Sequence, residues 1–438
     1  MLNERGMTLP LTLLMLVTMA SLTLALLALA GMEPQISRNL ADATQARFAA
    51  EAGIEWAFDR LASTPNWNTL LASASPTSGV LLGANQAIGT LSTARGTYTV
   101  WLRNDTQGPQ GNFPGDQAIT GVALDSSHTQ DANNVVIVTS TGTVNGATKT
   151  IRAAIKRLSF PPGFFPGAMA FPGTEAEVSF NGNSFEVDGR GWRMDGSGLD
   201  ASCAAVYGIS VSSVLPSNNP GANEAVVESA LSSQQQDNVK GKPQNPNQAG
   251  EGRNTIAPNT TLTPAMIQNF IDQAKNAADI VLESRQPNGL TFNNIGSTCA
   301  TDPNSQTCWG TATNPKIVYV RGEPDPSSMF SALQIGGNTT GYGILIVEDG
   351  DLRINGNFAW YGPVIVTGRW VGVGFMGGGN QQIYGALISN ETATDPGFRE
   401  GVMTGNSKVR YSCEALNAAL TARRLTSIST WKDLAPNE

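Results

Sequence analysis

The feature that most constrains this 438-residue chain is a stretch of 26 residues without charge, from Met7 to Met32. At about 1.5 Å per residue, a helix of this length crosses a hydrocarbon core of roughly 30 Å. The stretch, 7–32, therefore predicts a transmembrane helix. Arg5 lies before it and Glu33 after it, which favours a cytoplasmic amino terminus with the bulk of the chain on the other side.

The residues alone leave two other interpretations of this stretch open. Ala28, Ala30 and Gly31 resemble a small-residue cleavage site, so a removable secretory signal peptide is one alternative. An ordinary uncleaved membrane anchor is the other. The leader before the apolar run, residues 1–6, is unusually short for a secretory signal and ends at Gly6.

A second helical pattern follows Pro34, where apolar residues recur at steps of three and four. The stripe comprises Ile36, Leu40, Ala43, Ala50, Ile54, Ala57 and Leu61. Because Pro34 falls about where the membrane would end, it is expected to kink the helix without ending it. The chain would then begin with one long helix whose second half has an apolar face to bury.

Alternating apolar residues predict strands over 97–104 and within 133–158. The second range contains Asn145-Gly146, a pair that favours the positive φ angles of a type I′ hairpin turn. We expect a small antiparallel sheet against the helical stripe. Together they give an α+β unit over about 33–158.

A β-rich domain is predicted over 174–438, after a Pro- and Gly-rich linker at 159–173. Tyr-Gly pairs at Tyr342, Tyr361 and Tyr384 open β-rich segments 19 and 23 residues apart. Repeats of this length are typical of the coils of a β-solenoid, although a meander of hairpins with recurrent turns is an alternative.

A helical insertion is predicted in this domain at about 212–290. It contains one helix over 223–231 and a second over 263–284. The second helix has Thr263 as its N-cap and Pro264 at its first helical position, both of which are favoured there.

Composition and motifs argue against several functions. The net charge is −8 and no basic stripe is present, so a nucleic-acid partner is not predicted. His128 is the single histidine and lies in a polar segment, which disfavours histidine-based catalysis. The glycine pattern at 372–377 resembles a dinucleotide loop, but strand-like residues follow it where that motif requires a helix. We predict neither enzyme activity nor a cofactor.

Other polar and aromatic groups have structural explanations. Glu348, Asp349 and Asp351 could supply oxygen ligands to Ca²⁺, although an acidic turn explains them equally well. We therefore predict no metal site. Trp360 and Tyr361 are expected to pack within the domain, not to bind sugar.

Four cysteines lie beyond the apolar stretch, without the Cys-x-x-Cys spacing of a metal site. In an oxidising compartment Cys299 and Cys308 could close a small loop. Cys203 would then pair with Cys413. This is one of three possible pairings.

Three segments, "RGMTL", "ARFAAEAGIEWAFDRL" and "VVIVTSTGTVNGATKTIRAAIKR", resemble the PilX-like minor pilins of bacterial type IV pilus and pseudopilus systems. The resemblance is closest over 1–60, extends to residue 158 and is looser beyond. It implies cleavage after Gly6 by a prepilin peptidase and methylation of the new terminus at Met7. It also implies a long helix packed on an antiparallel sheet, with a β-rich C-terminal domain.

The same resemblance implies partners and a location. The chain would sit in the bacterial inner membrane as a single-pass protein, contacting lipid through 7–32, with its C-terminal bulk in the periplasm. It would then join other pilin or pseudopilin subunits through the pilus assembly platform and reach the pilus or cell surface.

One residue departs from the family pattern. Leu11 occupies the fifth position after the implied cleavage site, where major pilins usually carry a glutamate. This departure indicates a minor subunit present in few copies, with a tip position as a hypothesis. A type IV pilus and a type II secretion pseudopilus both stay open. A membrane-anchored or surface adhesin-like binding protein is the alternative function.

Overall fold

A computed structural model describes residues 8–75, 79–88, 96–106, 124–173, 178–212, 224–247, 252–259, 261–324, 330–393 and 401–434. Gly6 and Met7 lie outside these ranges. The chain divides into two compact units. The first comprises Met1–Asp59, Asn66–Lys156 and Ile428–Glu438, and the second comprises Arg60–Pro65 and Arg157–Ser427.

The secondary structure is named here in chain order. The α-helices are α1 (Thr8–Ala62), α2 (Asn68–Leu71), α3 (Glu224–Ala230), α4 (Pro264–Ala274) and α5 (Cys413–Ala419). Short 3₁₀ helices lie at Gln236–Asn238, Gly252–Thr255, Lys275–Ala277 and Arg423–Leu425. The first eleven strands are β1 (Val80–Ala87), β2 (Thr97–Asn104), β3 (Val135–Val144), β4 (Ala147–Arg157), β5 (Gly167–Phe171), β6 (Val178–Asn181), β7 (Glu186–Asp188), β8 (Tyr207–Ser212), β9 (Val239–Lys240), β10 (Ile256–Asn259) and β11 (Ile280–Glu283). The others are β12 (Leu290–Asn293), β13 (Lys316–Arg321), β14 (Leu333–Gly336), β15 (Asn338–Glu348), β16 (Leu352–Asn355), β17 (Asn357–Gly368), β18 (Val373–Met376), β19 (Asn380–Glu391), β20 (Gly401–Thr404), β21 (Asn406–Tyr411) and β22 (Thr426–Leu434).

The first unit packs the second half of α1 against a sheet of order β1-β2-β3-β4-β22. Small residues bring the two layers close together. A Cβ added to Gly142 would lie 2.0 Å from the carbonyl oxygen of Ala46, and one added to Gly53 would lie 2.2 Å from Ser140 Oγ. The buried face of the helix includes Ala46, Ala49, Ala50, Ile54 and Ala57.

The sheet covers the predicted apolar stripe only in part, and its start is left exposed. Ile36 and Leu40 are 61% and 67% exposed, whereas the buried face begins at Ala46. The apolar periodicity of α1 continues toward the amino terminus, but the residues of α1 that are buried on the sheet begin only at Ala46. Helical periodicity identifies which side of a helix is apolar, but it does not fix how much of that side a partner covers.

The predicted hairpin is confirmed. Strand β2 has the bounds predicted, and Val144 pairs with Ala147 across a two-residue turn. Asn145 and Gly146 adopt φ angles of 48° and 84°, as a type I′ turn requires. The Asn145 side chain also donates from Nδ2 to Asp42 Oδ1 on α1 at 3.0 Å, which fixes the turn against the helix.

The second unit contains two parallel sheets. One has the order β10-β8-β5-β19-β17-β15-β13-β11, with β21, β7 and β9 joined to it through β19. The other has the order β12-β14-β16-β18-β20-β6. From β11 to β21, successive strands alternate between the two sheets. Tyr342 pairs with Tyr361, and Tyr361 pairs with Tyr384. A hairpin meander would require antiparallel pairs, so the parallel ladders contradict that alternative.

Apolar side chains fill the space between the two parallel sheets, with Trp309, Trp360 and Phe375 fully buried among them. A second apolar cluster covers the opposite face of the larger sheet. It includes Ile344 and Ile365 from the sheet, together with Ile271 of α4 and Ala419 of α5. Helices α4 and α5 cover only the second halves of the long strands β15 and β17, where Ile344 and Ile365 lie.

Three sequence predictions about boundaries are wrong. The range 159–173 is not a simple linker, because all five residues of β5 are buried between β8 and β19. The last strand, β22, lies in the sheet of the first unit and not in the β-rich domain predicted over 174–438. The proposed insertion at about 212–290 contributes β9, β10 and β11 to the larger parallel sheet.

The helix predicted over 263–284 begins as expected but ends early. Thr263 caps it by accepting a hydrogen bond from the Met266 backbone at 3.2 Å, with Pro264 as the first helical residue. After Ala274 the chain turns and enters β11, which pairs in parallel with β13. β-Branched residues favour an extended strand here, and pairing with β13 decides the conformation.

Candidate functional site: the apolar helix and an open polar sheet face

The first half of α1 is apolar on every side and exposed. It is the one helix in the described part of the chain that is long and apolar enough to cross a membrane, with a mean hydropathy of 2.4 over its best window. None of that window is buried within the chain. Leu11 is 64% exposed, and α1 continues through Pro34, as predicted.

Several hydroxyl side chains on this half of α1 donate hydrogen bonds to the helix backbone itself. The hydroxyl of Thr12 donates to the carbonyl oxygen of Leu9 at 3.0 Å, and that of Thr18 donates to Met15 at 2.9 Å. Ser21 donates to the carbonyl of Thr18 at 2.8 Å. Such bonds leave few polar groups that need water, which is what a hydrocarbon environment demands.

The first halves of β15, β17 and β19 present a polar face outside the core of the second unit. Its first row is an asparagine ladder. Asn357 donates from Nδ2 to Asn338 Oδ1 at 2.9 Å, and the backbone N–H of Asn380 donates to Asn357 Oδ1 at 3.0 Å. The backbone N–H of Asn338 similarly donates to Asn294 Oδ1 at 3.0 Å. Asn338, Asn357 and Asn380 recur with the same 19- and 23-residue spacing as the tyrosines, a signal that the sequence analysis missed.

A tyrosine stack forms another row of this face. The ring centroids of Tyr342 and Tyr361 are 4.5 Å apart, and those of Tyr361 and Tyr384 are 5.4 Å apart, with nearly parallel planes. Parallel in-register pairing places each tyrosine directly beside the next. On β21, Arg410 takes the same position, and its guanidinium lies 3.8 Å from the centre of the Trp192 ring. Burial raises the pKa of the Tyr361 hydroxyl above its usual value.

Between these rows lies an open groove of about 320 Å³. This volume is near the lower end of the range for small-ligand sites, roughly 300–1,000 Å³. None of its lining side chains carries a charge. The lining consists of Asn338, Thr339, Thr340, Asn357, Phe358, Ala359, Tyr361, Asn380 and Gln382.

Two of the three acidic residues considered for Ca²⁺ accept hydrogen bonds from separate partners. Glu348 accepts a hydrogen bond from the Tyr319 hydroxyl, and Asp351 Oδ1 accepts one from the Gly372 backbone at 3.0 Å. Asp349 has a φ of 57°, and burial raises the pKa of its carboxyl group. In the described residues, no group of three or more histidine, cysteine, aspartate or glutamate side chains could hold a metal ion.

The glycine pattern and Trp360, both considered from the sequence, have structural roles in the second unit. The glycine pattern at 372–377 contributes β18 to the smaller parallel sheet, and β19 follows it. Trp360 is fully buried and donates from Nε1 to the carbonyl oxygen of Gly343 at 3.2 Å.

Both disulfides proposed from the sequence are present. Cys203 is bonded to Cys413 with a Cα–Cα distance of 5.6 Å, and Cys299 is bonded to Cys308 at 4.8 Å. The first joins positions 210 residues apart within the second unit, and the second closes a loop over nine residues.

A buried polar cluster lies in the first unit beyond β2. Asn104 donates from Nδ2 to Asp125 Oδ2 at 3.0 Å, and Asn133 donates from Nδ2 to Asp105 Oδ2 at 2.9 Å. Asp105 is fully buried, and its Oδ1 accepts no hydrogen bond from the described residues. Burial, with a smaller contribution from the charge of Asp125, raises the pKa of Asp105 from 3.8 to about 7.

This cluster predicts a pH-dependent stability. Because the folded pKa of Asp105 lies above the unfolded value, its stabilising contribution is complete below pH 3.8 and is lost as pH rises through about 7. The free energy of unfolding of the first unit should fall by on the order of 2–3 kcal/mol between about pH 5 and about pH 8. Urea unfolding of the full chain at both pH values measures this.

Asp105→Asn, which removes the titrating group, should lose most of the difference. Asp433→Asn changes an exposed carboxylate and serves as the control. A wild-type difference that Asp105→Asn leaves unchanged would contradict the assignment.

No protein-family model matches the chain, and no curated protein matches it. A crystal structure of the competence-associated pilin ComZ from Thermus thermophilus aligns over 90% of this chain and 98% of that chain, with 12% identity and a TM-score of 0.24. A TM-score this low does not establish a common fold.

Proposed function

We propose that the chain is a minor pilin or pseudopilin subunit. Residues 7–32 insert in the bacterial inner membrane, and the bulk of the chain lies in the periplasm. Prepilin peptidase cuts after Gly6, Met7 is methylated, and the subunit then joins a type IV pilus or related fibre at low copy, with the tip as its proposed position. It acts by assembly with other subunits and has no enzymatic role.

One observation carries this proposal. A single uninterrupted helix, α1, has an exposed half that is apolar on every side and a second half that is buried on an antiparallel sheet. An exposed apolar surface of this size is unstable in water, so its environment must be lipid or the apolar helices of other subunits. The resemblance of "RGMTL" and the segments that follow it to PilX-like minor pilins supports the second environment as the final one.

We also propose that the second unit is a short β-solenoid. In support, strands from β11 to β21 alternate between two parallel sheets and return to the same sheet after about one repeat. A large unit of this kind would be difficult to accommodate on every subunit of a thin fibre, which favours a low copy number.

The mature N-terminus, measured by mass spectrometry in cells with and without prepilin peptidase, tests the proposal. We expect a methylated terminus at Met7 that disappears without the peptidase. Gly6→Val should block cleavage, whereas the matched Gly31→Val should not. An unprocessed Met1, or a terminus near Gly31, would contradict pilin-type processing.

A membrane-anchored adhesin-like binding protein is the second candidate. The open polar face of the second unit favours it, because that face contains hydrogen-bonding groups outside the core. The two functions are compatible, since a pilus subunit can also carry a binding surface.

A further inference from the structure

The groove on the polar face contains hydrogen-bonding groups that the fold does not use. The side-chain amide of Asn380 and the hydroxyls of Thr340 and Tyr361 have no hydrogen-bond partner among the described residues. An amide can donate two hydrogen bonds and accept others, and a hydroxyl can do both. A ligand rich in hydroxyl groups could satisfy them all.

The chemistry of the lining narrows the class of ligand. Polyanions such as nucleic acids require lysine or arginine, and the groove has neither. A protein partner usually inserts an apolar or aromatic anchor into its site, but the exposed lining residues here are mainly asparagine, threonine and glutamine. An added peptide strand needs an unpaired sheet edge, whereas β17 is paired on both sides.

The geometry repeats along the sheet. Neighbouring strands lie about 4.7–4.9 Å apart, so the asparagines of the ladder form a row across β15, β17 and β19. Each of the three amides keeps at least one N–H that no described residue accepts, although Asn357 and Asn338 are also bonded to each other. A polymer whose own units repeat can use such a row unit by unit. We propose that this groove binds a neutral, linear oligosaccharide that runs across these three strands.

The tyrosine stack defines how the ligand is held. Tyr361 lies between Tyr342 and Tyr384, so both faces of its ring are covered and only its edge and hydroxyl border the groove. Hydrogen bonds from amides and hydroxyls therefore supply the binding, and ring stacking does not. The Tyr361 ring packs within the domain as expected, but the proposed contact of its hydroxyl with sugar departs from the expectation that this residue does not bind sugar.

Oligosaccharide binding goes beyond the proposed assembly function and does not depend on it. The test uses the full chain in lipid nanodiscs, because sugar-based detergents would compete for the groove. Isothermal titration calorimetry is carried out with maltohexaose, cellohexaose and hexa-N-acetylchitohexaose, and with a galacturonic acid hexamer as the anionic comparison. We expect at least one neutral hexasaccharide to bind and the anionic hexamer not to bind.

Variants locate the binding to the groove. Asn380→Asp keeps the side-chain shape but replaces donors with a charge, and it should weaken binding by about tenfold. Asn406→Asp makes the same change one strand further along the row, outside the groove lining, and should leave binding nearly unchanged. Thr340→Val, which removes one hydroxyl without changing shape, provides a second test at an exposed position.

Two results would overturn the proposal. One is the absence of measurable heat with every neutral hexasaccharide at millimolar concentration. The other is an equal loss of binding in Asn380→Asp and Asn406→Asp, with circular dichroism showing that both are folded. Neither result would affect the assembly proposal, which depends on the mature N-terminus and not on sugar binding.

Discussion

Replacing Gly362 with alanine is expected to destabilise the second unit by about 3–5 kcal/mol. Gly362 has a φ of 136°, a conformation that residues with a Cβ rarely adopt. A Cβ at this position would also lie 2.0 Å from the carbonyl oxygen of Gly343 on the neighbouring strand. Because β17 is paired on both sides, the strand cannot move away without breaking a ladder.

Gly378→Ala is the matched control for this prediction. Gly378 lies between β18 and β19, and an added Cβ there would meet no atom within 4 Å. Urea unfolding of the full chain, followed by circular dichroism, measures both variants. Equal stability of Gly362→Ala and Gly378→Ala would show that the close approach of β15 and β17 is not required.

The second large effect is expected for Trp360→Ala. Trp360 is fully buried between the parallel sheets, and its ring lies 6.4 Å from that of Trp309, centroid to centroid. Truncation would leave a large cavity and remove the hydrogen bond from Nε1 to Gly343. We expect a loss of about 3–5 kcal/mol in the free energy of unfolding of the second unit.

Trp431→Ala provides the comparison, because its side chain is 48% exposed on β22. Such a surface change is expected to cost about 0.5 kcal/mol or less. The same unfolding measurement applies. If Trp360→Ala were no less stable than Trp431→Ala, the assignment of Trp360 to the apolar core would be wrong.

Local chemistry in the sequence was enough to predict several elements. The uncharged stretch predicted the exposed apolar half of α1, and Asn145-Gly146 predicted the turn between β3 and β4. Thr263 and Pro264 predicted the start of α4. Each of these signals acts within a few residues, so no knowledge of distant parts of the chain was needed.

Other elements depended on residues far away in the sequence. The segment containing β5 looks like a linker because Pro and Gly surround it, yet it becomes a buried strand between β8 and β19. The end of the helix predicted over 263–284 becomes β11 because it can pair with β13. Strand β22 joins the first sheet although the β-rich domain separates it from β4 in the sequence.

The sequence by itself determined the apolar helix, the hairpin and the repeat that places tyrosines 19 and 23 residues apart, because periodicity and turn preferences are local properties. Only the tertiary structure decided that these repeats pair in parallel and in register. That pairing aligns the asparagines and tyrosines into rows and leaves a neutral groove beside them. The groove arises from alignment across strands, and no single segment of the chain contains it.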